Sequence, residues 1–130
     1  MRRIRFRAQI AKATRIANPG CYATGMQATI WPVRDLLAAP AYCFGVSGYS
    51  GAGTKPSPKN DPEVLRDNLL PYGLTDHTHE REVSAQMDHA ICFTPHVAPF
   101  FRGISLTISM QFGAPQDLDA IIARYEEAYG

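Results

Sequence analysis

At 130 residues the chain is long enough for one domain with a real core and leaves little room for two. Its 45% hydrophobic content and formal net charge of +1 are those of an ordinary soluble protein, with no pull toward nucleic acid or a membrane surface. No apolar run approaches the ~20 residues of a membrane span, and three cysteines without framework or C-x-x-C spacing fit free thiols in a reducing compartment.

The first fifteen residues carry Arg2, Arg3, Arg5, Arg7, Lys12 and Arg15 and no acid. An organellar transit peptide has this composition. A basic, solvated helix belonging to the domain is the preferred reading, because the run passes almost directly into a short strand, Thr14–Ala17. That leaves no room for a cleavable leader and a linker.

The next stretch, Asn18-Pro19-Gly20-Cys21-Tyr22-Ala23-Thr24, organises the rest. Pro19 stops the strand and Gly20 permits a tight turn. Met26, Ile30, Val33 and Leu37 then recur at three- and four-residue steps, so Cys21 falls in the first turn of a helix that Pro32 kinks and Pro40 ends. Free N–H groups and the positive end of a helix dipole favour a thiolate. The competing reading is a small buried apolar residue at a strand–helix junction.

Tyr42–Ser47 reads as a buried strand with Cys43 as a core thiol, and Gly48–Lys55 follows as a glycine-rich loop. A phosphate-binding P-loop fails here, since Thr54 precedes Lys55 and Pro56 and Pro58 forbid the helix start. A serine-hydrolase elbow fails too, because Ser47 and Ser50 are each followed directly by glycine. What remains is a loop whose backbone can approach a ligand closely. Beyond a proline-rich excursion, Asp61 caps a helix with Pro62 at its first position. Its apolar side is Val64, Leu65, Leu69 and Leu70, and Pro71-Tyr72-Gly73 ends it.

Asp76–Glu82 holds His77 and His79 among carboxylates. No H-E-x-x-H or cysteine pair supports zinc, and no metal is expected. A histidine near the cysteine, held by a carboxylate such as Glu82, is the pairing nucleophilic catalysis asks for. A solvated helix N-terminus whose acids oppose the dipole is the plainer alternative. Ala90–Thr94 reads as a strand broken by Pro95 and Pro99, with Cys92 inside it. Ile104, Leu106, Ile108, Met110 and Phe112 alternate with polar residues, giving a strand with one core face. Pro115 opens an amphipathic helix whose Leu118, Ile121, Ile122 and Tyr125 share a face. No repeat or low-complexity tract is present.

Three segments in this order, Asn18–Thr24, Gly45–Gly53 and His77–Glu82, supported by Phe93–Ile104, resemble the N-acetyl-γ-glutamyl-phosphate reductase family of semialdehyde dehydrogenase-type enzymes. The run Thr54–Pro62 is most similar to the subgroup that includes the fungal enzymes. The resemblance implies an α/β (α+β) fold with a mixed, largely antiparallel sheet and helices on one face, like the catalytic/dimerisation domain of semialdehyde and glyceraldehyde-3-phosphate dehydrogenases. It implies NADPH-dependent reduction of an acyl phosphate to an aldehyde in arginine biosynthesis, with Cys21 as the thioester-forming nucleophile. His79 would be the acid/base, with Glu82 orienting it, and Ser50, Gly51, Ala52 and Gly53 would lie near NADP(H) and substrate. Asn18 and the Cys21 N–H would meet the oxyanion, and Arg102 and His96 the substrate phosphate or carboxylate; His77 and His89 are structural.

No G-x-G-x-x-G precedes Cys21 and the family's C-terminal stretch is not found after Gly130, so the expectation is one domain, 1–130, without the family's Rossmann domain and C-terminal segment. Partners would be the acyl phosphate and further copies of the chain, with no nucleic acid or membrane. The compartment would be the cytoplasm, or the mitochondrion for a fungal-type enzyme. An assembly-only module and a cofactor-free cysteine hydrolase are the competing functions.

Overall fold

The structure, a computed structural model, describes residues 7–130. Arg2, Arg3 and Arg5 of the basic stretch lie outside the described residues. A single turn, α1 (Arg7–Ile10), is followed by an exposed segment and by α2 (Cys21–Ile30), which tightens into a 3₁₀ turn at Trp31–Leu36. Then come β1 (Ala41–Gly48), two 3₁₀ turns, α3 (Pro62–Leu65), β2 (Leu70–Pro71), α4 (Thr78–Met87), β3 (Ile91–Ala98), β4 (Ile104–Ser109) and α5 (Leu118–Tyr129). The sheet runs β2-β3-β1-β4. β1 and β3 are parallel, whereas β1–β4 and β2–β3 are antiparallel.

Period-two alternation decides the faces. Ala41 and Cys43 of β1 and Ile91, Phe93 and Val97 of β3 are buried on one side. Tyr22, Ala23, Met26 and Ile30 of α2 and Val83 and Met87 of α4 cover that side, with Leu106 and Ile108 of β4 packed beside them. Side chains as large as Tyr22, Met26 and Phe93 contribute about 1.5–3 kcal/mol each on burial. Gly45 is what lets α2 come so close: a Cβ there would stand 2.5 Å from Tyr22 Cε1 and 2.9 Å from a Phe93 ring carbon. The opposite face leaves Tyr42 59% and Phe44 40% exposed.

Several elements differ from the sequence reading. Thr14–Ala17 is exposed and forms no strand, for no described strand lies beside it to pair. The helix begun by Asp61 lasts one turn: the carboxylate accepts from Glu63 N at 3.0 Å, but Arg66 turns extended and Asp67 takes φ 53°. Leu70 and Pro71 pair instead with Val97 and His96. β3 runs straight through Pro95, and β4 stops at Ser109, leaving Phe112 an isolated bridge to Leu37.

On α5, Leu118 and Ile122 are exposed while Ile121 and Tyr125 are half-buried. Polar groups dock this helix. Tyr125 Oη donates to Thr29 O at 2.5 Å and Tyr129 Oη to Ala28 O at 2.7 Å, which satisfies carbonyls of α2's last turn that have no partner within the helix. Arg124 forks onto Asp35 at 2.7 and 3.1 Å and holds that carboxyl below the usual carboxylate range.

Candidate active site

Two helix N-termini meet at one end of the sheet. Gly20 is extended (φ −63°, ψ 162°) and no side chain caps α2, so the N–H groups of its first turn have no side-chain acceptor. Their partial positive charge points to the surface beside Cys21, which is exposed. Thr24 closes the turn, its N–H and hydroxyl both donating to Gly20 O, at 2.9 and 3.0 Å.

The second N-terminus brings His79. His77 caps α4, its Nδ1 accepting from His79 N at 3.1 Å. Burial first, then the neighbouring His79, holds His77 below the ordinary histidine range, and its Nδ1 stays free to accept. His79 lies in the first turn with its ring against Gly20, where an added Cβ would overlap it, Cε1 at 2.9 Å and Nε2 nearer still. The imidazole thus abuts the residue next to Cys21. Its Nδ1 is buried without a hydrogen-bond partner. Buried nitrogens are rarely left so, and such exceptions concentrate at functional sites.

The carboxylate that sequence reasoning assigned to His79 does not meet it. Glu82 is half-buried on α4 and makes no hydrogen bond to His79 among the described residues, since Nδ1 is without a partner. The carboxylate fixed in this region is Glu80, which accepts from Phe93 N at 2.8 Å.

The Ser50–Gly53 segment lies beyond the carboxyl ends of the parallel strands β1 and β3, where ligand crevices form in such sheets. Tyr49 N and Ser50 N donate to Phe100 O and Phe101 O at 3.1 and 2.9 Å, and Asn60 Nδ2 holds Gly53 O and Lys55 O at 2.8 and 2.9 Å. Arg102, exposed on the β3–β4 turn, is drawn alongside, its backbone N 2.5 Å from where a Gly48 Cβ would stand. Asn18 is exposed two residues before Gly20. His96 is not in this group. Strand alternation turns its ring to the far face, 4.6 Å from Phe44; only its carbonyl reaches in, accepting from Tyr22 Oη at 3.0 Å. His89 is engaged elsewhere, Nε2 to Ala39 O at 2.8 Å.

Sequence reasoning missed Tyr22 and Ser47. The buried Tyr22 ring packs on Phe93 (centroids 5.0 Å) and near His79 (6.3 Å), and its hydroxyl donates to His96 O. Ser47 is buried at the end of β1, its Oγ 3.9 Å from a Gly51 Cβ position in the glycine loop. A large aromatic beside small residues at a helix start was the available signal.

The three thiols differ by location. Cys43 is buried and pushed up to about 12 by burial, whereas Cys92 is half-buried on the outer face of the sheet rather than inside the core. Iodoacetamide should therefore label Cys21 first, Cys92 more slowly and Cys43 only on unfolding, as read by peptide mass. Modification of Cys43 ahead of Cys21 in folded protein would contradict this arrangement.

Among the described residues no group of three or more His, Cys, Asp or Glu side chains is placed to hold a metal ion, and no helix is long and apolar enough to cross a membrane. The profile of the semialdehyde dehydrogenase dimerisation domain matches residues 21–130. Relatives named N-acetyl-gamma-glutamyl-phosphate reductase include that of Stenotrophomonas maltophilia, 60% identical over 88% of this chain. That of Xanthomonas oryzae pv. oryzae is 58% identical over 95%. The chain spans 36% and 39% of the lengths of these two proteins. In fold, it resembles aspartate semialdehyde dehydrogenase II from Vibrio cholerae (TM-score 0.67, 16% identity, 92% of this chain and 45% of that one). A probable aspartate-semialdehyde dehydrogenase from Pseudomonas aeruginosa is equally similar (TM-score 0.67, 17% identity, 95% and 47%).

Proposed function

The chain belongs to the semialdehyde dehydrogenase dimerisation-domain family, and from that premise we propose that it works in the NADPH-dependent reduction of N-acetylglutamyl 5-phosphate to the semialdehyde. The observation that carries the reading is the exposed Cys21 at an uncapped helix N-terminus with the His79 ring against Gly20. Cys21 Sγ attacks the acyl carbon, the carbon–oxygen bond to phosphate breaks, and an S-acyl thioester remains. The first-turn N–H groups of α2, with Asn18 beside them, meet the developing oxyanion. His79 accepts the thiol proton and holds it for return to the product. Arg102 meets the substrate's anionic end.

The glycine loop suits one end of a dinucleotide, since Gly53 (φ +82°) has nothing within 4 Å of its Cβ position and the backbone is open there. Ser50, Gly51, Ala52 and Gly53 would hold that end of NADPH, which supplies the hydride when bound. The pyrophosphate would be held by a Rossmann domain outside these 130 residues. The outer sheet face, with Tyr42 and Phe44, supports assembly into a homo-oligomer, and the bacterial relatives favour the cytoplasm over a mitochondrion.

The test is incubation with N-acetylglutamyl phosphate in the absence of nucleotide. At most one phosphate per chain should be released, with the acyl mass recovered on the Cys21 peptide, and aspartyl phosphate should react poorly. Continuous phosphate release without nucleotide would replace this reading with the hydrolase.

A further inference from the structure

Strand β3 has an open edge that helix α4 closes. Backbone groups along a strand alternate in direction, and two bonds set the parity here: Ala41 N to Ala90 O on one side and Tyr72 N to Pro95 O on the other, both 3.1 Å. Even-numbered residues of β3 therefore face β1, and odd-numbered ones face the edge. There β2 reaches only His96 and Val97. Every remaining donor on that edge is accounted for. Pro95 has no N–H. Phe93 N donates to Glu80 Oε2 at 2.8 Å, and Ile91 N donates to Ser84 Oγ at 3.2 Å. Glu80 and Ser84 stand four residues apart on α4, about one turn, so two helix side chains replace an absent strand.

We propose that Glu80 and Ser84 are positioning residues for His79, an inference that rests on His79 being the acid/base partner of Cys21. The His79 ring cannot be held through Nδ1, which is buried without a partner. Its place against Gly20 follows from where the first turn of α4 sits, and Glu80, the next residue, ties that turn to the backbone of β3. A carboxylate accepting from an N–H makes the stronger, shorter kind of bond, as the 2.8 Å length shows. Reach decides more than charge. Aspartate, one methylene shorter, cannot span from the helix to Phe93 N without moving the turn. The titratable groups against the His79 ring are His77 at the start of its own helix and Tyr22 in the first turn of α2, with Cys21 next to the Gly20 it abuts.

The experiment compares Glu80→Gln, Glu80→Asp and His79→Asn with the native chain. It reads the Cys21 alkylation rate at pH 7.5 and the ¹⁵N imidazole shifts of His79, with far-UV circular dichroism as the fold control. Glu80→Gln keeps the acceptor and should alkylate within about twofold of native, whereas Glu80→Asp should slow Cys21 by roughly threefold or more, toward the His79→Asn rate. The His79 ring shifts should move in Glu80→Asp and stay in place in Glu80→Gln. Native alkylation in Glu80→Asp beside a slowed His79→Asn would overturn this inference alone, as would equal slowing in Glu80→Gln and Glu80→Asp. If His79→Asn itself alkylates at the native rate, the acid/base reading falls and this inference with it. Should Glu80→Asp not fold, Ser84→Ala reads the same anchor one turn along, by the same outcomes.

Discussion

Replacing Gly20 with alanine should slow acylation of Cys21 by roughly 10²- to 10⁴-fold, the range expected when a positioned acid/base group is lost. The backbone at Gly20 is ordinary extended chain that any residue adopts, so the substitution strains no dihedral. Its whole effect passes through one contact, because the new Cβ would occupy the space of His79 Nε2 and Cε1. The ring must swing away or the two helix starts must part, an overpacking cost of about 1–3 kcal/mol. Gly20→Ala should therefore behave like His79→Ala in the acylation assay. In the Gly20→Ala/His79→Ala double variant the clash is gone, so it should be no slower than His79→Ala alone. Native acylation in Gly20→Ala, with His79→Ala slow, would mean that the ring serves Cys21 from some other position.

The 130-residue chain supplied with NADPH and N-acetylglutamyl phosphate should form the thioester yet not reduce it. Holding a hydride donor at near-attack distance is worth about 7–11 kcal/mol of barrier. A dinucleotide pyrophosphate is usually gripped at a helix N-terminus after a glycine turn. Among the described residues the longer helices begin at Cys21, Thr78 and Leu118. The first two starts face the reaction centre, and the third is occupied by Asp117's own carboxylate, which accepts from Ala120 N. In the proposed reading Ser50–Gly53 touch only one end of the cofactor. Titration with NADPH, followed by fluorescence, should show no saturation in the micromolar range where reductases hold it. Tight binding, or steady aldehyde formation by these residues, would place a cofactor site where none is expected.

Local chemistry made part of this legible from residues alone. The helix start at Cys21 follows from Pro19, Gly20 and the spacing of Met26 and Ile30, all within about three turns of one another. Asp61 and Pro62 announced a helix start, and the alternation from Ile104 announced a strand facing a core on one side. The order of three short segments pointed to the family whose profile covers residues 21–130.

What needed tertiary structure was everything set by a distant partner. Val64, Leu65, Leu69 and Leu70 suit the apolar side of a helix, yet the chain opens after one turn because β3 offers Leu70 a strand to pair with. Pro95 looks like a breaker, but its missing N–H falls on an edge where β2 has already ended, so the strand passes through it. The family resemblance put His96 with the substrate and Glu82 beside His79. Pleating sends the His96 ring to the far face, and α4 leaves Glu82 unbonded to His79 while Glu80 takes the anchor on β3. The nearness of His79 to Gly20 joins residues 59 positions apart, and no local pattern encodes it. It exists because two helices pack side by side on one sheet, and a glycine leaves room for the ring.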